Sequence, residues 1–336
     1  MSLSVLFLGG TGTISHWCAR RAIDAGIDLT VLNRGSSTAR PLPEGVEVLR
    51  GDARDPDSVR SAMGDRRFDV VVDFVAFLPE HVAADIEVFA GRVGQFVFIS
   101  SASAYQKPVG WLPITESTPL HNPYWEYSRN KIACEDVLIK AYRDDAFPVT
   151  IVRPSHTYDD LRIPLLGGHG DIDRMRAGQP VLVHGDGTTR WTLTHSSDFA
   201  IAFTGLLGDP RTIGDSYTIT SDEALTWDQI YRAIGAAAGV PDPELVHVTS
   251  EAIARFVPSL GPGLLGDKAH SVVFDNSKIK SIVPHYVCRV PYAEGARRIV
   301  AAYDADPSHA TRNEELDRAY DALIAYGTAG PGSDTP

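Results

Sequence analysis

A doubly wound α/β fold, with a parallel sheet followed by a smaller C-terminal substrate-binding lobe, is what this sequence predicts, and three observations carry it. Short apolar runs alternate with helical stripes through the first half of the chain, the pattern of βα units and hence of a parallel sheet covered on both faces. A glycine loop, Gly9-Gly10-Thr11-Gly12, sits between the first run and the first stripe. From Arg153 onward the pattern loosens into Pro154, Pro164, Gly167-Gly168-His169-Gly170 and Pro180, the composition of loops and small elements built over one end of a sheet.

Taken in chain order, strands are expected at residues 5–8, 29–32, 46–49, 70–73, 96–99 and 149–152. Each is short, rich in β-branched or aromatic residues, and bounded by Gly, Asp, Arg or Pro. Ile14, Cys18, Ala22 and Ala25 form a helical stripe after the glycine loop. Val82, Ile86 and Phe89 form another after Pro79, a residue suited to a first helical turn. Stripes return at Ile230, Ile234 and Ala237, and at Leu316, Tyr320, Leu323 and Ile324. The expected division is 1–153 for the sheet, 154–326 for a lobe that partly returns to it, and 327–336 for a disordered tail.

Composition narrows the function. The 336 residues carry 31 Lys and Arg against 43 Asp and Glu, a formal charge of -12, which disfavours a grip on phosphate backbone and makes nucleic acid an unexpected partner. The start lacks a charged segment ahead of a long apolar run, so neither a secretory signal nor a membrane span is expected, and the expected compartment is the cytosol. Cys18, Cys134 and Cys288 are odd in number and not in CxxC spacing, which fits reduced thiols. The eleven histidines form no HExxH or HxH pattern, so no metal is expected.

Gly9, Gly12 and Ser15 occupy the positions of a GxxGxxG pattern between a strand and an amphipathic helix, where backbone N–H groups and the helix N-terminus can hold a pyrophosphate. This is a Rossmann-type placement, and it makes Gly9, Gly12, Thr13 and Ile14 candidate cofactor residues; the plain alternative is a tight turn without a ligand. Ser15 in place of the third glycine is expected to hold helix and strand slightly apart. About 20 residues on, where an acidic residue would hold the adenosine ribose of NAD, the chain offers Asn33-Arg34. Asn33 can bond the ribose, and Arg34 either pairs with a 2'-phosphate or is solvated, so NAD(P) is the cofactor expectation with the choice between NAD and NADP open. Asp52 either accepts from the adenine amino group or forms a turn. Ala76, past the fourth strand, completes the cofactor candidates.

Tyr127 and Lys131 are four residues apart and share one face of a helix. An ammonium beside a phenol favours its ionisation, and a tyrosine so poised can take a proton from an alcohol while hydride leaves the same carbon. Ser101 follows the fifth apolar run, at the strand end where ligands of open α/β sheets bind. In this order the glycine loop, a Ser four residues before Tyr105, and the YxxxK of Tyr127 and Lys131 resemble the extended short-chain dehydrogenase/reductase superfamily, of the NAD-dependent epimerase/dehydratase type. The resemblance implies that Tyr127 is the acid and base, that Lys131 holds the nicotinamide ribose and lowers the tyrosine pKa, and that Ser101 bonds the reacting oxygen. It also implies a homodimer paired through the Tyr127 helix.

Two departures bear on the substrate. Ala102-Ser103 follow Ser101 where the family's dehydratases carry Asp-Glu, so elimination would need another acid, with Glu126 and Asp159-Asp160 as sources or as solvated carboxylates. Trp191 stands where sugar-nucleotide enzymes place a diphosphate-binding arginine, and Arg190 is one position off, on the opposite face of a strand. Ser103, His156, Arg190 and Trp191 are the substrate-binding candidates; Trp191 stacks on substrate or is core, and His156 contacts substrate or is structural. The reading is an enzyme that transiently oxidises a hydroxyl of a small sugar-like substrate, with epimerisation or water elimination beside the new ketone. Its rivals are a simple NADPH-dependent reductase and a non-catalytic dinucleotide sensor or RNA-associated scaffold.

Overall fold

The structure is a computed structural model that describes residues 2–36 and 39–329. Its first half runs β1 (Ser4–Leu8), α1 (Thr13–Asp24), β2 (Asp28–Asn33), β3 (Glu47–Arg50), α2 (Pro56–Met63), β4 (Phe68–Asp73), α3 (Pro79–Phe89), β5 (Val93–Ile99), α4 (Glu126–Asp145) and β6 (Val149–Pro154). All six expected strands form. A seventh, Ser216–Ile219, returns from the C-terminal half and pairs parallel to β6. The sheet order is Ser216–Ile219, β6, β5, β4, β1, β2, β3, parallel throughout. The order reverses between β1 and β4, and a crevice at the carboxyl ends of the strands there is where such sheets bind ligands.

Alternation along the strands makes two cores. Val5 and Phe7 of β1 face one layer with Cys18, Ala19 and Ala22 of α1 and Phe199 and Phe203 of the helix Ser196–Leu206. Leu6 and Leu8 face the other with Val82, Phe89, Cys134 and Leu138 of α3 and α4. A strand buried on both faces gains from apolar residues at successive positions, which is why β1 and β4 read as continuous runs rather than alternating ones. Ala25, expected in the first stripe, lies just past α1 and is exposed. The helix breaks one residue earlier, before the turn at Gly26, whose φ is +75°.

The lobe has its own core, in which Trp191, Trp227, Ile230, Tyr231, Tyr292 and Ile299 are buried together. The last helix, Glu314–Ala329, buries Leu316, Tyr320 and Leu323, in register with the expected stripe. It continues through Gly327 to Ala329, so the first three residues of the expected disordered tail are helical; Gly327 approaches Val246 and Val248 closely enough that a Cβ would meet them at 2.6 and 2.8 Å. Residues 330–336 lie outside the described residues. Among the described residues no helix is long and apolar enough to cross a membrane.

Candidate active site

The glycine loop is shaped by close contact. Gly9 has φ +81°, and a Cβ there would meet Val75 Cγ1 at 2.6 Å; one on Gly10 would meet Val31 Cγ1 at the same distance. These are positions at which only glycine fits without a shift. Ser15 does more than fill the third glycine's place. It is buried, and its Oγ accepts from the Gly12 N–H at 2.9 Å, so it caps the loop's own amide. Gly12, Thr13, Ile14 and Ser15 line one wall of a cavity of about 500 Å³ at the carboxyl ends of the central strands. The first amides of a helix have no partner inside it, which suits an anionic group there.

At the end of β2, the Asn33 Oδ1 is buried without a hydrogen-bond partner among the described residues. Arg34 is exposed and Asp52 half-buried, and they face each other at 3.9 Å. Asp52 also accepts from the Arg54 N–H through its carboxylate, a turn-forming role. An orphaned acceptor beside a glycine cradle fits the hydroxyl and pyrophosphate groups of a dinucleotide. Ala76 does not line the cavity; its carbonyl instead accepts from Lys131.

Ser101 sits just past β5, where the turn Ala102–Ala104 begins. Its Oγ accepts from the Ser103 N–H and lies 2.9 Å from the Ser103 Oγ, which in turn accepts from Ser128 at 2.8 Å. Ser103 therefore lines the cavity and also ties Ser101 to the first turn of α4. Successive turns of that helix present Tyr127, Lys131 and Glu135 on one side. The Lys131 Nζ donates to the carbonyls of Ala76 at 2.6 Å and Ile99 at 2.8 Å, between the rings of Phe77 and Phe98. Burial pulls its pKa down to about 8, against the opposing charge of Asp73. Glu135 accepts from Ser100 at 2.5 Å and pairs with Arg153 through both oxygens, and Arg153 also donates to the Tyr105 hydroxyl. Arg153 is thus turned into the protein and pins α4 to the sheet.

Tyr127 departs from expectation in one respect. Burial raises its pKa, an interaction with the Ser101 hydroxyl opposes the rise, and Lys131 is not among the causes of the shift. The ammonium is 6.0 Å from the ring centroid and is occupied by two carbonyls. The phenol is therefore a neutral donor in the free protein rather than one primed to ionise.

The other end of the cavity is built by the lobe. His156, in β7 (His156–Tyr158), and Trp191 both line it. Trp191 is 1% exposed, so its two readings combine: it is core on one side and wall on the other. Its Nε1–H points at the His156 Nδ1, 3.4 Å away. Burial, with the charges of Lys268 and Arg162, holds the His156 pKa well below the usual histidine value. The neutral ring that accepts at Nδ1 carries its proton on Nε2. Arg190 is a correction: it is exposed, does not line the cavity, and donates to the Ala224 carbonyl at 2.9 Å. The alternation of a strand puts it on the face opposite Trp191. Neither Asp159 nor Asp160 lines the cavity; Asp159 pairs with Arg40 at 2.5 Å and Asp160 with His195 at 3.1 Å. Glu126 is exposed and outside it as well.

Trp125, Arg162, Asp267 and Lys268 complete the wall, and sequence reasoning missed all four. The last two come from one turn, Leu264–Lys268, more than 130 residues past Tyr127. The only local signal is the density of glycine and proline at 261–266, which marks a close contact without naming its partner.

Comparison with known proteins agrees with this geometry. The profile of the NAD dependent epimerase/dehydratase family matches residues 5–220. A 2'-dehydrokanamycin reductase of Streptomyces kanamyceticus is 30% identical over 71% of this chain and 68% of its own length. The chloroplast stem-loop binding protein of 41 kDa b of Arabidopsis thaliana is 28% identical over 72% of this chain and 65% of its own. Among solved structures, a dTDP-glucose 4,6-dehydratase of Bacillus anthracis in complex with NAD superposes with a TM-score of 0.74 at 16% identity, over 91% of this chain and 98% of that one, a likeness of fold. The profile spans the sheet and the cavity wall from the glycine loop to Trp191, and so the chain belongs to the NAD dependent epimerase/dehydratase family, whose members are extended short-chain dehydrogenases/reductases acting with NAD(P).

Proposed function

We propose that the protein transiently oxidises a hydroxyl of a sugar-like small molecule and reduces it again within one binding event, leaving the substrate epimerised or dehydrated beside the temporary ketone. The observation that carries this reading is the convergence of Ser101, Tyr127 and Lys131 with the glycine loop on one cavity. A nicotinamide dinucleotide, when bound, accepts hydride from the carbinol carbon and gives it back.

The remaining steps belong to the chain. Thr13 and Ile14 offer amides to the pyrophosphate, beside the Gly12 amide that Ser15 caps, and the Asn33 Oδ1 accepts from a ribose hydroxyl. Ser101 donates to the reacting oxygen, held in aim by Ser103 and Ser128. Tyr127 takes the hydroxyl proton during oxidation and returns it during reduction. With its pKa raised, the protonated phenol prevails at neutral pH, so the reductive half is ready and the oxidative half gains as pH rises. Lys131, fixed by two carbonyls, holds a ribose hydroxyl rather than the phenol proton. A ketone acidifies the neighbouring C–H, and this is what makes inversion or loss of a β-substituent feasible. NAD serves such a redox-neutral cycle.

Arg34 and the relative named as a reductase favour a second reading, net reduction with NADPH. Cofactor retention separates the two. Purified protein is denatured and the supernatant assayed for dinucleotide. Recovery of bound NAD supports the redox-neutral cycle; none recovered, with turnover only on added NADPH, rejects it in favour of reduction.

A further inference from the structure

We propose that Arg40 and Asp159 form a clasp that keeps the dinucleotide bound through the whole reaction cycle. This deepens the reading above, since the clasp favours its redox-neutral form over net reduction, and it rests on that reading for the identity of the cofactor.

The link from β2 to β3 lies against the glycine loop. Leu42 packs there so closely that a Cβ on Gly10 would meet the Leu42 Cδ2 at 3.2 Å. One residue earlier, the Pro41 carbonyl acts on the ring of His16, which is buried in the first turns of α1. Arg40 then reaches the lobe. Its Nε and Nη2 donate to the two carboxylate oxygens of Asp159 at 2.5 and 2.8 Å, a bidentate pair between residues 119 apart in the chain. Residues 40–42 are thus seated on the glycine loop at one end and tied to the lobe at the other.

Asp159 approaches the cavity from the opposite side. It follows β7, whose His156 and Thr157 line the wall, and it builds the turn that carries Arg162 to the same wall. In that turn the Leu161 N–H donates to the Asp159 carboxylate at 3.2 Å and the Arg162 N–H to the Asp159 carbonyl at 3.1 Å. The pair lies at the rim: the Arg40 side chain is 17% exposed and that of Asp159 4%, whereas Pro41 is exposed and the Asp160 side chain is 40% exposed. A dinucleotide running from Asn33 along the Gly12–Ser15 wall lies between the two halves that the pair joins.

The chemistry suits a tie that opens. Apolar residues would hold the halves together at least as strongly as an ion pair that must be desolvated. Two parallel charge-assisted hydrogen bonds, by contrast, are directional and part together, and water takes up both charges when they do. Loss of one partner of such a pair acts chiefly on the rate of dissociation. A dinucleotide held while the ketone is present must return its hydride to that same molecule. The clasp therefore acts on the course of the reaction without touching the reacting atoms.

The test uses the full chain. NADH and NADPH are titrated by fluorescence, and the tighter is taken as the probe; binding of neither rejects the cofactor reading and the clasp with it. Release is then followed by stopped flow after the loaded protein is mixed with excess oxidised dinucleotide. Arg40→Gln and Asp159→Asn should each speed release about tenfold or more, with association no slower than in the wild type. The double variant should release no faster than the faster single one, because both remove the same interaction. Release within about twofold of the wild type, slowed association of the kind a damaged site gives, or effects that multiply in the double variant overturns the proposal. Tight binding with unchanged release strikes the clasp alone and leaves the reading above standing. Should Asp159→Asn fold poorly, Arg40→Gln decides the outcome, because the Asp159 turn keeps its own hydrogen bonds and Trp17 still packs edge-on against His195 at 5.5 Å.

Discussion

At the sheet end of the cavity Lys131 is held by two carbonyls and Arg153 by both oxygens of Glu135, whereas at the lobe end the Arg162 and Lys268 side chains face the cavity with no hydrogen-bond or ion-pair partner among the described residues. The contrast is one of purpose. Where a side chain must hold a fixed geometry, its polar atoms are satisfied within the protein, which removes alternatives to the productive rotamer. Where a side chain must recognise something, its capacity is left open. The same cavity therefore joins a half whose polar side chains are tied down within the protein to a half in which two cationic side chains are not, among the described residues.

The sharpest way to break this contrast is Tyr127→Phe, which should lower turnover by about 10²–10⁴-fold while dinucleotide affinity stays at the wild-type value; unchanged steady-state turnover would refute the role given to the phenol. Glu135→Ala should cost roughly 3–5 kcal/mol in urea unfolding, because it leaves Arg153 buried and unpaired. A loss below about 1 kcal/mol would show that the pair is not what stiffens the sheet end. Gly9→Ala should destabilise by roughly 1–3 kcal/mol and weaken NAD binding, since the residue has φ +81° and its new methyl meets Val75.

A subtler expectation concerns pH. Burial has lowered the Lys131 pKa to about 8, so the ammonium is intact below that value and is lost as pH rises through it. Dinucleotide affinity should therefore decline severalfold between neutral pH and about pH 9, and the decline should vanish in Lys131→Met; a slope retained in the variant would assign it elsewhere. The smallest effect is expected for Arg190→Gln, within about 0.5 kcal/mol in stability and with no change in turnover, because its side chain is turned out of the cavity.

The sheet half was legible because its signals are local. β1 with its glycine loop, the Ser101 segment and the Tyr127–Lys131 helix each announce themselves within a dozen residues, through periodicity and backbone demands. The face of Arg190 followed from strand alternation alone. The direction of the Tyr127 pKa was not legible because adjacency on a helix does not say where an ammonium's protons go: the carbonyls of Ala76, in the loop past β4, and Ile99, at the end of β5, claim those of Lys131. The pairing of Arg153 was out of reach for the same reason, since its partner Glu135 is a surface-pattern glutamate until α4 packs on the sheet.

By itself, then, the sequence determined the parallel sheet, the dinucleotide-type loop and the Ser, Tyr and Lys that begin the chemistry, because each depends on a short pattern of backbone geometry or helical spacing. Only the tertiary structure decided that Lys131 is sequestered, that Trp191 is core and wall at once, and that Arg162, Asp267 and Lys268 meet Tyr127. Those arrangements are set by packing between segments distant in the sequence, where burial and hydrogen-bond satisfaction, rather than local propensity, select the partner.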